Sequence, residues 1–552
     1  MGILPGYSHN KIFTACYLSR ISIIWFFLSV LAITGCSQLP AIFSGSAPAF
    51  VEEPAFEMDP HLTTPLAGLL TLATDIPTRV ELAITTGRQT RIVEFNQFSK
   101  SHAQPVLGFK PDKSYQIEVR AISRGGIKTV YQKCLETSTQ PLPDGFPHIT
   151  TLISKPDQME PGYTLFDVVP EGSNAEFGAL IVIVDAKGEV VWYQTGSRYT
   201  DVRQNDAGHL QFLEGGKYIE MDMLGNRLRE WKAVGQSRQN ISAFPVATPA
   251  FHHEVYPMDN GHFLALSIEE RTYDNYPTSE TDPAAPKAKA RVAGDVIVEF
   301  GSDGKIVNQW SLLDILDPYR IGYGSLGKYW DSFFNTKTRD WSHGNAVIYD
   351  ATDDAVIVSS RHLDTITKFS RQTGQLIWIL APPENWDRDK YGKYLLKPVN
   401  NTKYFFPYHA HAPMLLPNGH LMVYDNGNYR ASPFDPGMPI SDSFSRAVEY
   451  AIDEQNRRIK LVWQYGQSAP HRYFSAALGD ADLLPNKNNV LITHGNVHSA
   501  EDKLAARIIE VTHSDPAREV FHIFITDETA DPEAGWRVYR SDRIASLYPQ
   551  SK

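Results

Sequence analysis

The sequence predicts an all-β protein: a six-bladed β-propeller preceded by a small N-terminal β-sandwich. Three observations carry that expectation. First, one hairpin phrase recurs six times: an apolar strand, a polar turn usually holding glycine, then a strand ending on an aromatic residue. Second, 37 glycines and 36 prolines in 552 residues supply the many turns that short strands need. Third, no long amphipathic helix interrupts the pattern; "SLLDILD" offers a turn or two at most.

Taken in order, residues 1–35 read as a lipoprotein-type signal peptide. Lys11 and Arg20 supply the positive flank, and "ISIIWFFLSVLAI" is an apolar core too short for a comfortable membrane span. The segment ends in "ITGC", which resembles the lipobox of bacterial lipoproteins. That resemblance implies cleavage before Cys36, a lipid on its thiol and an acylated amine, several chains giving stable anchoring where one would not. Ser37 in place of aspartate leans towards the outer membrane, so the chain is expected on the periplasmic side of the cell envelope, held by its lipid. A plain secretory signal or an uncleaved anchor is the blander alternative. With Cys16 in the signal and Cys36 lipidated, Cys134 stands alone, which excludes an intrachain disulfide and a cysteine-based zinc site.

Residues 36–59, rich in Ser, Ala and Pro, read as a tether. Residues 60–140 read as the sandwich: "TRVELAITT" puts Val80, Leu82 and Ile84 on one face, and "SYQIEVRAI" does so with Tyr115, Ile117, Val119 and Ala121. A Pro-rich seam, "TQPLPDGFPHI", then leads into residues 141–552, the propeller. Its hairpins pair Gly188 with Trp192, Gly225 with Trp231, Gly304 with Trp310, and Gly374 with Trp378. A fifth ends on Trp463, and a sixth has Phe521 in the tryptophan's place. The spacing exceeds the usual blade of about 40–45 residues, so loops are inserted. The longest, "TSETDPAAPKAKARVAG" and "APPENWDRDKYGKYLLKPVNNTKYFFPY", are expected to cover one end of the channel.

Composition narrows the function classes. Hydrophobic content of 42% and aromatic content of 11% belong to a globular chain. A formal charge of -11 with no basic run excludes a nucleic-acid partner, which needs a concentrated cationic surface.

Two phrases, "HEVYPMDNGH" from His253 and "HAPMLLPNGH" from His411, set a histidine at the same offset before an Asn-Gly turn and a strand. Innermost propeller strands line the channel, so both imidazoles are expected at corresponding places, facing the axis. His343 and Asn345, two apart, share one face of an extended segment. Arg361 ends "AVIVSS", a buried-strand run, and there needs an anion or a ring of acceptors; nearby Asp364 could simply pair with it. Three histidines, an arginine and an asparagine with few carboxylates describe an oxyanion site, since guanidinium forks match sulfate or phosphate oxygens. His252 and His409 adjoin the favoured histidines and could take their places. His262 and His420 follow turn glycines and read as surface residues. "DATDD" lacks the glycine and distal glutamate of a calcium loop and reads as a solvated turn.

Together, "HEVYPMDNGHFLAL", "DWSHGNAVIYD" with "DDAVIVSSRHLD", and "HAPMLLPNGHLMVYDNGNYR" resemble the bacterial arylsulfotransferases, from the sandwich to "WRVYRSDRIASLYP". The resemblance implies a periplasmic six-bladed propeller with an N-terminal β-domain, often a homodimer. Such an enzyme moves a sulfuryl group between phenols through a sulfated histidine, with no metal, nucleotide or other cofactor. It would make His411 the nucleophile, let His343, Asn345 and Arg361 hold the sulfate oxygens, and leave His253 as the remaining active-site histidine. Thr493, in "VLITHG", aligns loosely with a threonine near the sulfate. One departure stands out: members with a structural disulfide need two cysteines, and this chain has only Cys134 beyond the lipobox. Tyr404, Phe405, Phe406 and Tyr408 could stack on phenols or aryl sulfates. Two other classes stay open: a lipid-anchored propeller that binds without catalysing, and a metal-dependent ester hydrolase using the histidines as ligands.

Overall fold

The computed structural model describes residues 46–236, 243–400, 402–468 and 472–549. The signal peptide, Cys36 and the first part of the tether lie outside the described residues. Ala47–Lys552 forms one compact unit, built almost wholly of strands.

Its N-terminal part is a six-stranded sheet. Gly68–Thr86 and Gln89–Val106 form a long hairpin, and a register shift between Ala73 and Thr78 divides it. The first half of Gly68–Thr86 pairs with Phe50–Met58 and the second half with Ser114–Ser123. Residues 50–58, expected as tether, are therefore an edge strand; Pro54 fits there because the register shifts between Glu52 and Ala55. The expected inward residues Val80, Leu82, Ile84, Ile117 and Val119 are all buried. They join one apolar cluster with Phe166 and Val182 of the first propeller sheet and with Phe521 and Ile523 of the last. This sheet and the rest of the chain share a core.

Six further sheets follow. Five of them have an innermost strand of their own: Tyr199–Gln204, His252–Pro257, Gly344–Asp350, His411–Leu415 and Asp480–Leu483. Each touches the next, and His411–Leu415 touches Asp480–Leu483 of the sixth sheet. The first sheet takes its innermost strand, Ser541–Ile544, from the end of the chain; it pairs with Tyr163–Glu171. Ser541–Ile544 contacts both Asn489–His498 and Tyr199–Gln204, which closes the ring. At the other seam His148–Ser154 pairs with Glu519–Thr526 as the outer strand of the sixth sheet.

The recurring tryptophans have a common task. Each lies on the second strand of its hairpin and reaches the hairpin turn of the following sheet. Trp192 donates its indole N–H to Met223 O at 2.9 Å, and Trp231 to Ser302 O at 3.0 Å. Trp378 donates to the Glu454 carboxylate at 2.7 Å, and Trp463 to Ser514 O at 3.1 Å. Trp310 lies against Gly374, whose φ of 68° and close approach to the indole favour glycine. The aromatic repeat thus joins neighbouring sheets by burial and a hydrogen bond together.

The two long insertions differ from expectation. Residues 288–294, expected in a loop, extend the strand Ala288–Phe300, which pairs along Phe263–Tyr276. The second insertion holds one helical turn, Arg388–Tyr391. "SLLDILD" forms a single turn at Leu312–Ile315, capped by Ser311.

Candidate active site

His253, His343 and His411 sit at the starts of the innermost strands of three consecutive sheets. The two Asn-Gly phrases are not strict counterparts, however. Ladder pairing sets His252 opposite Leu266 and His411 opposite Tyr424. His252 therefore holds the place of His411, and His253 falls in the bulge that follows, with φ of 59°. The bulge turns its ring to 5.0 Å from that of His343, centroid to centroid. His252 faces back, its Nε2 3.1 Å from Ser267 O and 3.3 Å from the Asp295 carboxylate.

Asn345 donates from Nδ2 to Ala410 O at 2.8 Å, beside His411, while its Oδ1 is buried without a partner. Ser359 also donates to Ala410 O. Arg361 donates from Nη2 to Ala476 O at 3.0 Å. Among the described residues no carboxylate forms an ion pair with it; Asp364 accepts the His409 backbone N–H at 2.8 Å and lies 3.1 Å from its Nδ1. Thr493 is bonded elsewhere, its hydroxyl 2.5 Å from that of Ser541. Tyr539 and Arg540, from the chain's end, both donate to Asn345 O at 3.3 Å, and Arg540 also pairs with Glu254.

The electrostatics favour neutral imidazoles. Burial, and then the charge of Arg361, push His343 down to about 3 and His411 well below the usual histidine range. Burial and the neighbouring His343 do the same to His253. Burial also lowers Arg361, with Asp340 and Asp364 opposing at longer range. The result is a cation without an adjacent anion among uncharged rings.

Several residues at this centre have no signature in the sequence. Asp340 Oδ2 accepts from His343 Nδ1 at 2.6 Å, and Asp340 O accepts from His362 Nδ1 at 2.7 Å. The His343 and His362 rings stack at 4.5 Å. Ligand atoms of Asp340, His343 and His362 lie within 4.8 Å of one another, close enough to hold a divalent metal if both Nδ1 hydrogens were displaced. Asn426 Oδ1 lies 2.6 Å from His411 Nδ1. A "DN" after a strand gives no hint of such a contact.

Two of the four aromatics expected before His409 serve elsewhere. Phe405 is core, against Tyr450, and Tyr404 packs on Phe444. Rings near the histidines come instead from other loops. Tyr329, 53% exposed, lies 4.9 Å from His343 and 6.1 Å from His253. Tyr429, 44% exposed, lies 5.6 Å from His409 and stacks on Tyr323.

Comparison with known proteins bears on this centre. The family described as Arylsulfotransferase (ASST) matches residues 143–537, which include every histidine above. Two curated proteins, each named Arylsulfate sulfotransferase AssT, are 27% identical: that of Escherichia coli O6:H1, with 57% of each chain covered, and that of Lelliottia amnigena, with 58% of each. The chain thus spans a little over half the length of these relatives. Among solved structures, a periplasmic gluconolactonase of Pseudomonas aeruginosa aligns at TM-score 0.31 and 11% identity, covering 68% of this chain and 99% of that one.

Proposed function

Because the chain belongs to the arylsulfotransferase family, we propose that it moves a sulfuryl group from an aryl sulfate ester to a phenolic acceptor, in two half-reactions through a sulfated His411, with no nucleotide sulfate donor. The observation that carries this reading is Arg361, a half-buried guanidinium with no carboxylate partner among the described residues, beside imidazoles held neutral. A neutral imidazole is a nucleophile, and a half-buried cation without a carboxylate beside it suits a sulfate.

In the first half-reaction a lone pair of His411 forms the N–S bond as the ester S–O bond breaks. The aryl oxygen leaves with the bonding pair. Arg361 offsets charge on the sulfuryl oxygens throughout, as phosphoryl-transfer sites do for phosphate. In the second half-reaction the acceptor phenol attacks sulfur, the N–S pair returns to His411, and the phenolic proton needs a base. His343 fits that role. Asp340 accepts its Nδ1–H, which leaves Nε2 a lone pair and steadies the ring when it gains a proton. The proton then passes to the next departing phenoxide or to solvent. Its lowered pKa has His343 start the cycle neutral, ready to accept a proton. His253, held neutral beside it, adds a second polar ring at the sulfate.

The proposal extends to place and assembly: a lipid-anchored protein at Cys36, on the periplasmic side of the outer membrane, working as a homodimer. The rival reading, a metal-dependent ester hydrolase, draws on the Asp340, His343 and His362 trio. Intact-protein mass spectrometry tests the main reading. After brief exposure to an aryl sulfate without acceptor, the protein gains one sulfuryl increment that maps to His411 and is lost in His411→Ala. An unmodified wild-type protein that still turns over phenols removes the covalent route.

A further inference from the structure

We propose that Asn426 sets the tautomer of His411, keeping the proton on Nδ1 so that Nε2 is the nitrogen that takes the sulfuryl group. The second half of this statement rests on the function proposed above; the first half does not.

Asn426 follows the strand Leu421–Asp425 and is completely buried. Its Nδ2 donates to two backbone carbonyls, Ser475 O and Leu478 O, each at 2.8 Å. A carbonyl oxygen only accepts, so the NH2 end of the amide must face this pair. Turned over, the amide would set its own oxygen against two others and leave its hydrogens facing His411. The orientation usually ambiguous for an asparagine is therefore fixed by its surroundings. Oδ1 is left pointing at His411 Nδ1, 2.6 Å away. An amide oxygen cannot donate, so Nδ1 carries the hydrogen. His409 O, 3.2 Å from the same nitrogen, is a second acceptor and agrees. In a neutral imidazole with Nδ1–H, the lone pair is on Nε2.

The chemistry of the partner matters as much as its geometry. When Nε2 binds sulfur, the ring becomes a cation that retains its Nδ1 hydrogen. When the acceptor attacks, the N–S pair returns to Nε2 and a neutral imidazole departs, a good leaving group. A neutral amide accepts the hydrogen bond without drawing the proton away. A carboxylate there would pull at that proton, make the departing ring more like an anion, and favour a protonated, unreactive His411 at rest. The centre keeps the two cases apart: His343, the base, has the carboxylate of Asp340 on its Nδ1, and His411 has an amide.

The test begins with the wild-type protein, labelled with 15N at histidine. Long-range proton–nitrogen spectra should show His411 protonated at Nδ1 and bare at Nε2; protonation at Nε2 overturns the proposal. After exposure to p-nitrophenyl sulfate without acceptor, the adduct should lie on Nε2. An adduct on Nδ1 overturns the proposal while upholding the covalent route. An unmodified His411 removes the function proposed above and leaves the tautomer to be decided by the first spectrum. Asn426→Asp, checked for native circular dichroism, should lose tenfold or more in kcat/KM at pH 7 and move its acid limb to higher pH. An unchanged pH profile in the folded variant overturns the role of Asn426. Should the variant fail to fold, the wild-type spectra decide alone.

Discussion

Replacing Arg361 with methionine separates two accounts of that guanidinium. If it is a structural cation tied to a buried carboxylate, truncation should cost about 3–5 kcal/mol of stability, the usual penalty for orphaning a buried charge. Among the described residues it has no such partner, and its side chain donates to Ala476 O. That carbonyl also accepts from Asn428 Nδ2 at 3.0 Å, so it stays satisfied in the variant. Methionine fills similar space without the cost of holding a charge away from water. Stability should therefore change by no more than about 1 kcal/mol, in either direction. Catalysis should respond very differently. Loss of one preorganised donor to a developing anion typically lowers kcat by about 10²–10³, or roughly 3–4 kcal/mol. The assay pairs p-nitrophenol release from its sulfate, with phenol as acceptor, against urea unfolding of the same preparations. A variant destabilised by several kcal/mol that keeps near-normal turnover per folded molecule would refute the anion-binding role.

Three further outcomes follow from the same centre. Tyr329→Ala should raise KM for aryl sulfates by about 2- to 12-fold with kcat nearly unchanged, matching the roughly 0.5–1.5 kcal/mol of an aromatic contact; equal losses in both parameters would assign the ring another task. With His343 at about 3 and His411 held low, both rings stay neutral as the medium is acidified. The wild-type kcat/KM should then stay flat from pH 7 to pH 5, where a histidine with an ordinary pKa of about 6.5 would lose about 25-fold in its neutral form. A chelator, checked by metal analysis, should leave transfer unchanged; activity that disappears and returns with zinc would give Asp340, His343 and His362 to a metal.

The repeat was legible because burial imposes it. Each outer strand must reach the next sheet's turn, and a large ring with one donor does this in a way that recurs in the sequence. The approach of His253, His343, Asn345 and His411 to one another was legible as well, because residues at the starts of innermost strands converge whatever their separation in the chain; Arg361 comes instead from the end of a second strand, Ala355–Ser360. Local irregularity was harder to read. The bulge after His252 displaces one phrase against the other, so an offset counted from the turn matched residues that the ladder does not. Phe50–Met58 looked like tether because its proline and glutamates suit an edge strand equally well. Asp340, Asn426 and Tyr329 act across strands and loops, where no periodicity ties a residue to its partner. Tyr404 and Phe405 misled for the converse reason, since an aromatic run beside a histidine says nothing of which way each ring turns.

The ring is sealed by residues far along the chain from the strand they complete. Tyr539 and Arg540 bond to the backbone of Asn345, and Ser541–Ile544 supplies the strand missing from the first sheet. The first sheet therefore stays without its innermost strand until Ser541–Ile544 docks against Tyr163–Glu171, a pairing between segments far apart in sequence. Closure by so non-local a contact makes completion of the ring a late event in folding, and cleavage before Tyr539 should remove the closing strand and both donors to Asn345 O together.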